Sequence, residues 1–210
     1  ICEAEIPAGL AVAGDGARLW VCGNLGNRVF ELDARSGAVL RTVDVGVAPF
    51  DVVQVGTRLF VSNFGGRRPG AGDLVGPAGR GTTTRVDSVH HVASEGSVSV
   101  IDLATFTVER ETLVGKHASD LAVAPDGAFV ACACAASDTV AVLDPSGSLV
   151  ETLWARNKPS DLLQASPNAL CFDEDGDRLF VANGTMNAVA VYAWEPEDRG
   201  DTVQIGRAHV

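Results

Sequence analysis

Three segments of the chain are copies of one pattern: LAVAGDGARLWVCGN at residues 10–24, LAVAPDGAFVACAC at 121–134 and LCFDEDGDRLFVAN at 170–183. Each copy has an apolar run, an Asp-Gly pair and a second run rich in β-branched and aromatic residues. Asp-Gly is typical of tight hairpins, because Gly adopts positive φ freely and Asp tolerates it. The pattern therefore predicts a repeated unit of two antiparallel strands joined by a tight turn.

Each unit continues beyond its hairpin. Alternating strands follow at Val29–Asp33, Val98–Asp102, Val140–Asp144 and Val189–Tyr192, and closing strands follow at 39–45, 108–113 and 149–153. A further copy, Arg58–Asn63, lacks the Asp-Gly pair but keeps the rest. Four antiparallel strands that recur at about 40 to 45 residues are typical of a β-propeller blade, and no stretch has a sustained helical period. The predicted fold is an all-β propeller with four blades of four strands.

The strings LFVSN at 59–63 and LFVAN at 179–183 resemble the bacterial YVTN-repeat β-propeller family, over residues 7 to about 195. More narrowly, NFGGRRPG at 63–70, GSVSVID at 96–102 and SPNAL at 166–170 are similar to the propeller half of exported bacterial proteins with a downstream alkaline-phosphatase-like phosphoesterase domain. The resemblance implies a seven-bladed propeller, of which this chain holds an incomplete arc, and a periplasmic or secreted location. Cys134 departs from the pattern because it replaces the Asn of the V-x-N string.

The repeat predicts one partial propeller domain over residues 1–204, with an insertion at 65–95. Its blades are expected at about 7–46, 47–115, 116–161 and 162–204. Residues 205–210, IGRAHV, look like one reading frame of a sequencing-library adapter, so an artefactual tail is predicted there.

The composition excludes several classes of function. With 16 basic and 27 acidic residues, the net charge of −11 disfavours nucleic acid as a partner. No apolar run is long enough to predict a membrane span, and no signal peptide is visible. The five cysteines lack the paired C-x-x-C spacing of a metal site, so Cys132 and Cys134 are expected to be unbonded core residues.

Strand direction alternates within a blade, so the inter-blade loops emerge on the same face as the loops that join second and third strands. We call this the loop face. Long ordered loops are usually functional, and the insertion at 65–95 is one of them. A second insertion, at 154–165, adds Arg156, Lys158 and Asp161 to this face. The predicted binding residues, at the channel mouth or in the first insertion, are Asp51, His117, Asp120, Asn168, Arg67, Arg68, Arg80, His90 and His91.

Each of these residues has a structural alternative. The insertion arginines either bind an anion or hold the loop by salt bridges. His90, His91 and His117 would form a metal site only if their loops met, and Asp51 and Asp120 either cap backbone amides or act as a general base. No nucleophile elbow, phosphate-binding loop or dinucleotide fingerprint is present, so no catalytic residue, metal or cofactor is predicted.

Two functions are consistent with this pattern. The first is a non-catalytic binding or scaffold module that presents the loop face to a protein, to its own downstream domain or to a small anionic ligand. The second, implied by the resemblance to YVTN-related lactonases, is a hydrolase in which His117 is the acid or base and Asp51 or Asp120 its partner. A quinoprotein-like redox propeller would need aromatic residues over the channel, where the sequence offers only Phe50.

Overall fold

The structure, a computed structural model, describes residues 5–79, 81–156 and 164–194 and the backbone of 205–208. Its first sheet contains β1 (Pro7–Val12), β2 (Arg18–Gly23), β3 (Arg28–Asp33) and β4 (Val39–Asp44). The second contains β5 (Pro49–Val55) and β6 (Arg58–Asn63), followed by a small insertion hairpin of β7 (Val75–Pro77) and β8 (Thr83–Arg85), and is completed by β9 (Gly96–Asp102) and β10 (Thr107–Val114).

The third sheet contains β11 (Ala118–Val123), β12 (Val130–Cys134), β13 (Thr139–Leu143) and β14 (Leu149–Trp154). The fourth contains β15 (Pro167–Phe172), β16 (Arg178–Asn183), β17 (Ala188–Ala193) and β18 (Ile205–Ala208). All neighbouring strands pair antiparallel in chain order, so the four four-stranded sheets of the prediction are confirmed. Within the described ranges, the one helical element is a 3₁₀ turn at Gly184–Met186.

The Asp-Gly turns have the predicted backbone. Gly16, Gly127 and Gly176 have φ values of 68°, 71° and 78°, which a side chain would strain. The preceding Asp15 and Asp126 accept hydrogen bonds from the backbone N–H two residues later, at 2.8 Å each. Glycine freedom allows all three hairpins to close, and Asp side-chain bonding adds to it in the first two.

The sheets stack face to face, as blades do. One apolar cluster joins blades 1 and 2 through Trp20 and Leu59, a second joins blades 2 and 3 through Phe60 and Val130, and a third joins blades 3 and 4 through Val140 and Leu179. The first strands of consecutive blades pack against one another, which places β1, β5, β11 and β15 innermost. The middle strands β6 and β13 are therefore buried on both faces, while the outer strands β4 and β14 are largely exposed.

The cysteine prediction is confirmed for the pair on β12. Cys132 and Cys134 are fully buried, unbonded to each other and packed in the cluster between blades 2 and 3. Burial raises the pKa of the Cys22 thiol far above its ordinary range, so this residue also behaves as an apolar core group.

Two expectations concern the end of the chain and the membrane. The backbone of Ile205–Ala208, assigned above to an artefactual tail, pairs with β17 as the outer strand of blade 4. The origin of residues 205–210 stays a prediction. None of the helical segments in the described part of the chain is long and apolar enough to cross a bilayer.

Candidate functional site

A β-bulge opens each innermost strand at the loop face. In β5, Pro49 pairs with Asn63 and Asp51 pairs with Ser62, so Phe50 is the extra residue. The same irregularity occurs at the start of β1, β11 and β15. Bulges redirect side chains out of the regular alternation, and here they occur beside Asp51 and Asp120, which contact the next blade.

Asp51 and Asp120 act as connections between blades. Asp51 accepts hydrogen bonds from the backbone N–H of Val52 in its own strand, at 2.8 Å, and of Leu121 in blade 3, at 3.0 Å. Asp120 repeats this one blade later, because it accepts the N–H of Leu170 in blade 4 at 2.6 Å. Desolvation raises the pKa of both carboxyl groups, against the lowering effect of these hydrogen bonds. The geometry matches the amide-capping alternative of the sequence analysis.

A second set of connections joins the loops of neighbouring blades. Asn27 accepts the N–H of Ala48 at 2.9 Å, and Asp138, at the equivalent position of blade 3, accepts the N–H of Ser166, also at 2.9 Å. The fully buried Asp138 carboxylate also binds the Arg156 guanidinium at 2.5 and 2.6 Å. The predicted residues Lys158 and Asp161 lie outside the described residues.

Internal ion pairs join separate parts of the insertion to one another. Arg67 makes a bidentate pair with Glu95, at 3.1 and 2.8 Å, and thereby joins the two ends of the insertion. Arg85 on β8 lies 2.7 Å from Asp73 and 3.5 Å from Glu95. The pKa of Glu95 is lowered even though its burial acts in the opposite direction, because Arg67 and Arg85 stabilise its charge.

Arg68 connects the insertion to blade 1. Its guanidinium donates to the backbone carbonyls of Val45, at 2.7 Å, and Asn27, at 2.5 Å, and lies 3.4 Å from Asp44. Arg80 lies outside the described residues. The contacts of Arg67 and Arg68 are those of the salt-bridge alternative, and anion binding by these arginines stays a prediction.

The insertion histidines differ in their surroundings. His90 is 77% exposed, with Nδ1 3.5 Å from Asp87, whereas His91 has φ 54° and lines the cleft described below. Three backbone N–H groups hold the pKa of Asp87 at about 2, chiefly that of His90. Among the described residues, no three His, Cys, Asp or Glu side chains are placed to share a metal ion.

His117 belongs to a row of three aromatic rings. Its imidazole stacks on Phe64 with centroids 4.2 Å apart and planes 14° apart, and Phe64 stacks on Phe50 at 6.1 Å and 29°. Desolvation lowers the pKa of His117, as does the charge of Lys116. The φ of 56° at His117 is shared by Ala48 and Ser166 in the equivalent loops, so it belongs to the repeat.

A cleft of about 560 Å³ lies beside these rings, between the insertion and the loops of blades 1 and 2. Phe50 and Phe64 line it on the side of the blades, Pro77 and Val86 on the side of the insertion, and Asn24 comes from blade 1. The insertion therefore reaches the loop face as predicted. Asn168 is exposed on the same face, at blade 4. Its side chain lies close to Gly184, because a Cβ atom added to Gly184 would be 2.8 Å from the Nδ2 atom of Asn168.

Phe64 and the cleft were not predicted from the sequence. A signal was available, because Phe64 follows the V-x-N string at a position occupied by Asn24, Ala135 and Gly184 in the other blades. At this position, directly before the enlarged loop, a bulky aromatic residue replaces the small or polar residues of the other blades. Packing within the blade does not require this replacement, so it indicates a role outside the blade.

The comparisons with known proteins bear on the fold. A sequence model described as YNCE-like β-propeller matches residues 82–208, which is more than half of the chain. The chain belongs to the YNCE-like β-propeller family. Among solved structures, hydrazine synthase from Kuenenia stuttgartiensis is similar at 20% identity with a TM-score of 0.45, over 93% of this chain and 68% of that one. No curated protein matches the chain.

Family membership confirms the prediction of a β-propeller fold. The narrower resemblance to YVTN-repeat proteins, and to propellers joined to a phosphoesterase domain, stays a prediction. Six of the nine predicted binding residues divide into two groups by their contacts, since His90 and Asn168 are exposed and Arg80 lies outside the described residues. Asp51, Asp120, Arg67 and Arg68 bind other parts of the chain, whereas His91 lines the cleft and His117 lies in the row of rings beside it.

Proposed function

We propose that the chain is a non-catalytic β-propeller binding module that receives its ligand on the loop face, in the cleft beneath the insertion. One observation carries the proposal: the described residues of the insertion, 65–79 and 81–95, form one wall of a cleft of about 560 Å³ whose other wall is the loops of blades 1 and 2. Clefts of about 300 to 1,000 Å³ with mostly apolar walls and a few polar groups are the usual form of small-molecule sites.

The contacts of the candidate catalytic residues support a binding role over the lactonase alternative. A general base must reach the proton it removes, and its partner must orient it. The carboxylates of Asp51 and Asp120 instead accept backbone N–H groups of the next blade, and the His117 ring stacks on Phe64. These contacts give each of the three side chains a structural task.

A hydrolysis assay separates the two functions. The full chain, His117→Ala and the control His90→Ala, an exposed histidine of the insertion, are assayed against a panel of lactones. We expect all three to hydrolyse every lactone at the buffer rate. Turnover by the full chain that His117→Ala abolishes and His90→Ala retains would establish the lactonase function and refute the binding module.

A thermal-shift screen tests the cleft itself. In a short-loop variant, residues 64–95 are replaced by the four residues that make the same connection in blade 1, Asn24–Asn27. A ligand present at about 100 times its Kd stabilises the folded state by about 2.7 kcal/mol, which raises Tm by several degrees. We expect such compounds to stabilise the full chain and leave the short-loop variant unchanged. If both proteins respond alike to every compound, the insertion forms no site.

The partner and location remain part of the proposal. On the resemblance of residues 63–70, 96–102 and 166–170, we propose that the propeller works with a phosphoesterase domain of the same polypeptide in the periplasm or outside the cell. Sequencing the genomic locus tests this directly. A reading frame that continues into a metal-hydrolase pattern supports the fusion, and one that ends after further blades contradicts it.

A further inference from the structure

Two aromatic residues of the cleft break the repeat. Phe50, the bulged residue of β5, occupies the position held by Ala8, Ser119 and Asn168 in the other blades. Phe64 stands at the position after the V-x-N string, where the other blades have small or polar residues. Both exceptions occur in blade 2, next to the insertion. The blade fold is built three times without rings at these places, so the rings have a role other than blade packing.

The Phe50 ring is available to a ligand. It is 41% exposed at the edge of the cleft, at one end of the row that continues through Phe64 to His117. Aromatic rings pack favourably against other aromatic rings, in offset-stacked or edge-to-face contacts. An exposed ring at the end of an aromatic row, inside a cleft of about 560 Å³, is suited to a flat apolar partner.

The charge of the cleft indicates a neutral ligand. Of the described residues that line it, His91 is the one titratable group, and the polar side chains are Asn24 and Thr84. The Thr84 hydroxyl donates to the Gly65 carbonyl at 2.7 Å, so it belongs to the wall. Arg67, Arg68 and Arg85, the described arginines of the insertion, bind carboxylates and backbone carbonyls outside the cleft lining, and the chain as a whole carries −11. Apart from the His91 imidazole, an anionic ligand would meet no basic side chain among the described residues of this lining.

Resting on the proposed function, we propose that the cleft binds a neutral, planar aromatic small molecule of about two or three fused rings, stacked against Phe50 and Phe64. The insertion supplies the opposite wall through Pro77 and Val86. His91 is placed at the lining to hydrogen-bond polar groups at the ligand's edge, and Asn24, whose Nδ2 atom donates to the Pro49 carbonyl at 3.2 Å, can accept a hydrogen bond there with its Oδ1 atom.

The test titrates the full chain with 1-aminoanthracene, which is planar and uncharged at pH 7.5 and becomes more fluorescent in apolar sites. The comparison probe is 1-anilinonaphthalene-8-sulfonate, which is of similar size but anionic. We expect saturable binding of the neutral probe at one site, and affinity at least tenfold weaker for the anionic probe.

Three substitutions locate the probe. Phe50→Ser and Phe64→Ala introduce the residues that blade 3 carries at the same positions, Ser119 and Ala135, so the blade fold accommodates them. Each should weaken binding of 1-aminoanthracene at least tenfold. The control is Trp154→Ser, which removes a 56% exposed aromatic ring from the outer strand β14 and should leave the affinity unchanged.

Each outcome of these titrations either supports or overturns the proposed ligand class or its site. Unchanged affinity in Phe50→Ser and Phe64→Ala, tighter binding of the anionic probe, or no binding of the neutral probe to the full chain would overturn the proposed ligand class. If the ligand class fails while library compounds still stabilise the full chain and not the short-loop variant, the binding module stands with another ligand. If the short-loop variant binds 1-aminoanthracene as the full chain does, the cleft is not its site.

Discussion

Replacing Asp120 by Ala tests the interpretation of the channel-mouth carboxylates as connections between blades. Asp120 lies on the innermost strand β11, and its Oδ2 atom accepts the N–H of Leu170 on β15, the innermost strand of the next blade. The substitution removes the acceptor and leaves this N–H, on a residue that is only 9% exposed, without its partner across the junction.

The expected loss follows from two opposing terms. A buried N–H that loses its acceptor costs about 1–3 kcal/mol, and hydrogen bonds to charged acceptors lie in the upper half of that range. Part of the loss is offset, because burial of the carboxylate is itself unfavourable, as its raised pKa indicates. We expect Asp120→Ala to lower the free energy of unfolding by about 1–2 kcal/mol. Asp120→Asn keeps a carbonyl acceptor and should lose less than half of that.

Urea unfolding measures both variants through the midpoint, provided that the m value is unchanged. The control is Asp175→Ala, an exposed Asp in an Asp-Gly turn, which should change stability by no more than about 0.5 kcal/mol. If Asp120→Ala is as stable as Asp175→Ala, the Asp120 carboxylate does not connect the blades, and a role at the channel mouth becomes its best explanation.

Three further predictions follow from the same contacts. By ¹³C NMR titration, the carboxyl pKa values of Asp51 and Asp120 should exceed 3.8 and that of Asp87 should be about 2. A raised pKa means that the folded chain binds more protons than the unfolded chain. The contribution of Asp51 and Asp120 to stability therefore falls as pH rises from about 3.8 through their folded-state pKa values. The contribution of Asp87 has the opposite pH dependence, because it is present above pH 3.8 and is lost as pH falls through about 2. A value for Asp51 below 3.8 would contradict this assignment. Glu95→Gln should speed proteolysis within residues 66–95 without moving the urea midpoint. The control Glu109→Gln, which breaks the exposed pair with Arg58, should leave the rate of proteolysis unchanged. Equal proteolysis of the two variants would mean that Glu95 does not hold the insertion. Asp138→Ala should cost about 3 kcal/mol in urea unfolding, because it removes the buried acceptor shared by the backbone N–H groups of Ala165 and Ser166 and the buried half of an ion pair. Asp44→Ala, at a 69% exposed residue, should cost under about 0.5 kcal/mol, and equal losses would refute the buried connection.

The sequence predicted what depends on local chemistry. The Asp-Gly pairs and alternating runs require only short-range rules, and the hairpins at Gly16, Gly127 and Gly176 formed as expected. The alternation of strand direction within a blade was enough to predict that the insertion lies on the same face as His117, because this prediction does not depend on side-chain positions.

The site contacts depend on the packing of one blade against another, which a repeat pattern does not encode. The acceptor role of Asp51 requires the register between β5 and β11, and the pairing of Arg67 with Glu95 requires the folded path of an insertion that has no counterpart in the other blades. The Phe64 and His117 rings come from loops of different blades, and they meet only once both loops are in place.

The most direct test of the central claim is hydrogen–deuterium exchange of the full chain with and without saturating 1-aminoanthracene. A ligand in the cleft beneath the insertion should slow exchange in residues 47–50, 64–65, 76–78 and 84–93, the segments that contain its lining residues, and leave the outer strand at 149–154 unchanged. Protection confined to the outer strands, or no protection anywhere despite bound probe, would contradict the account.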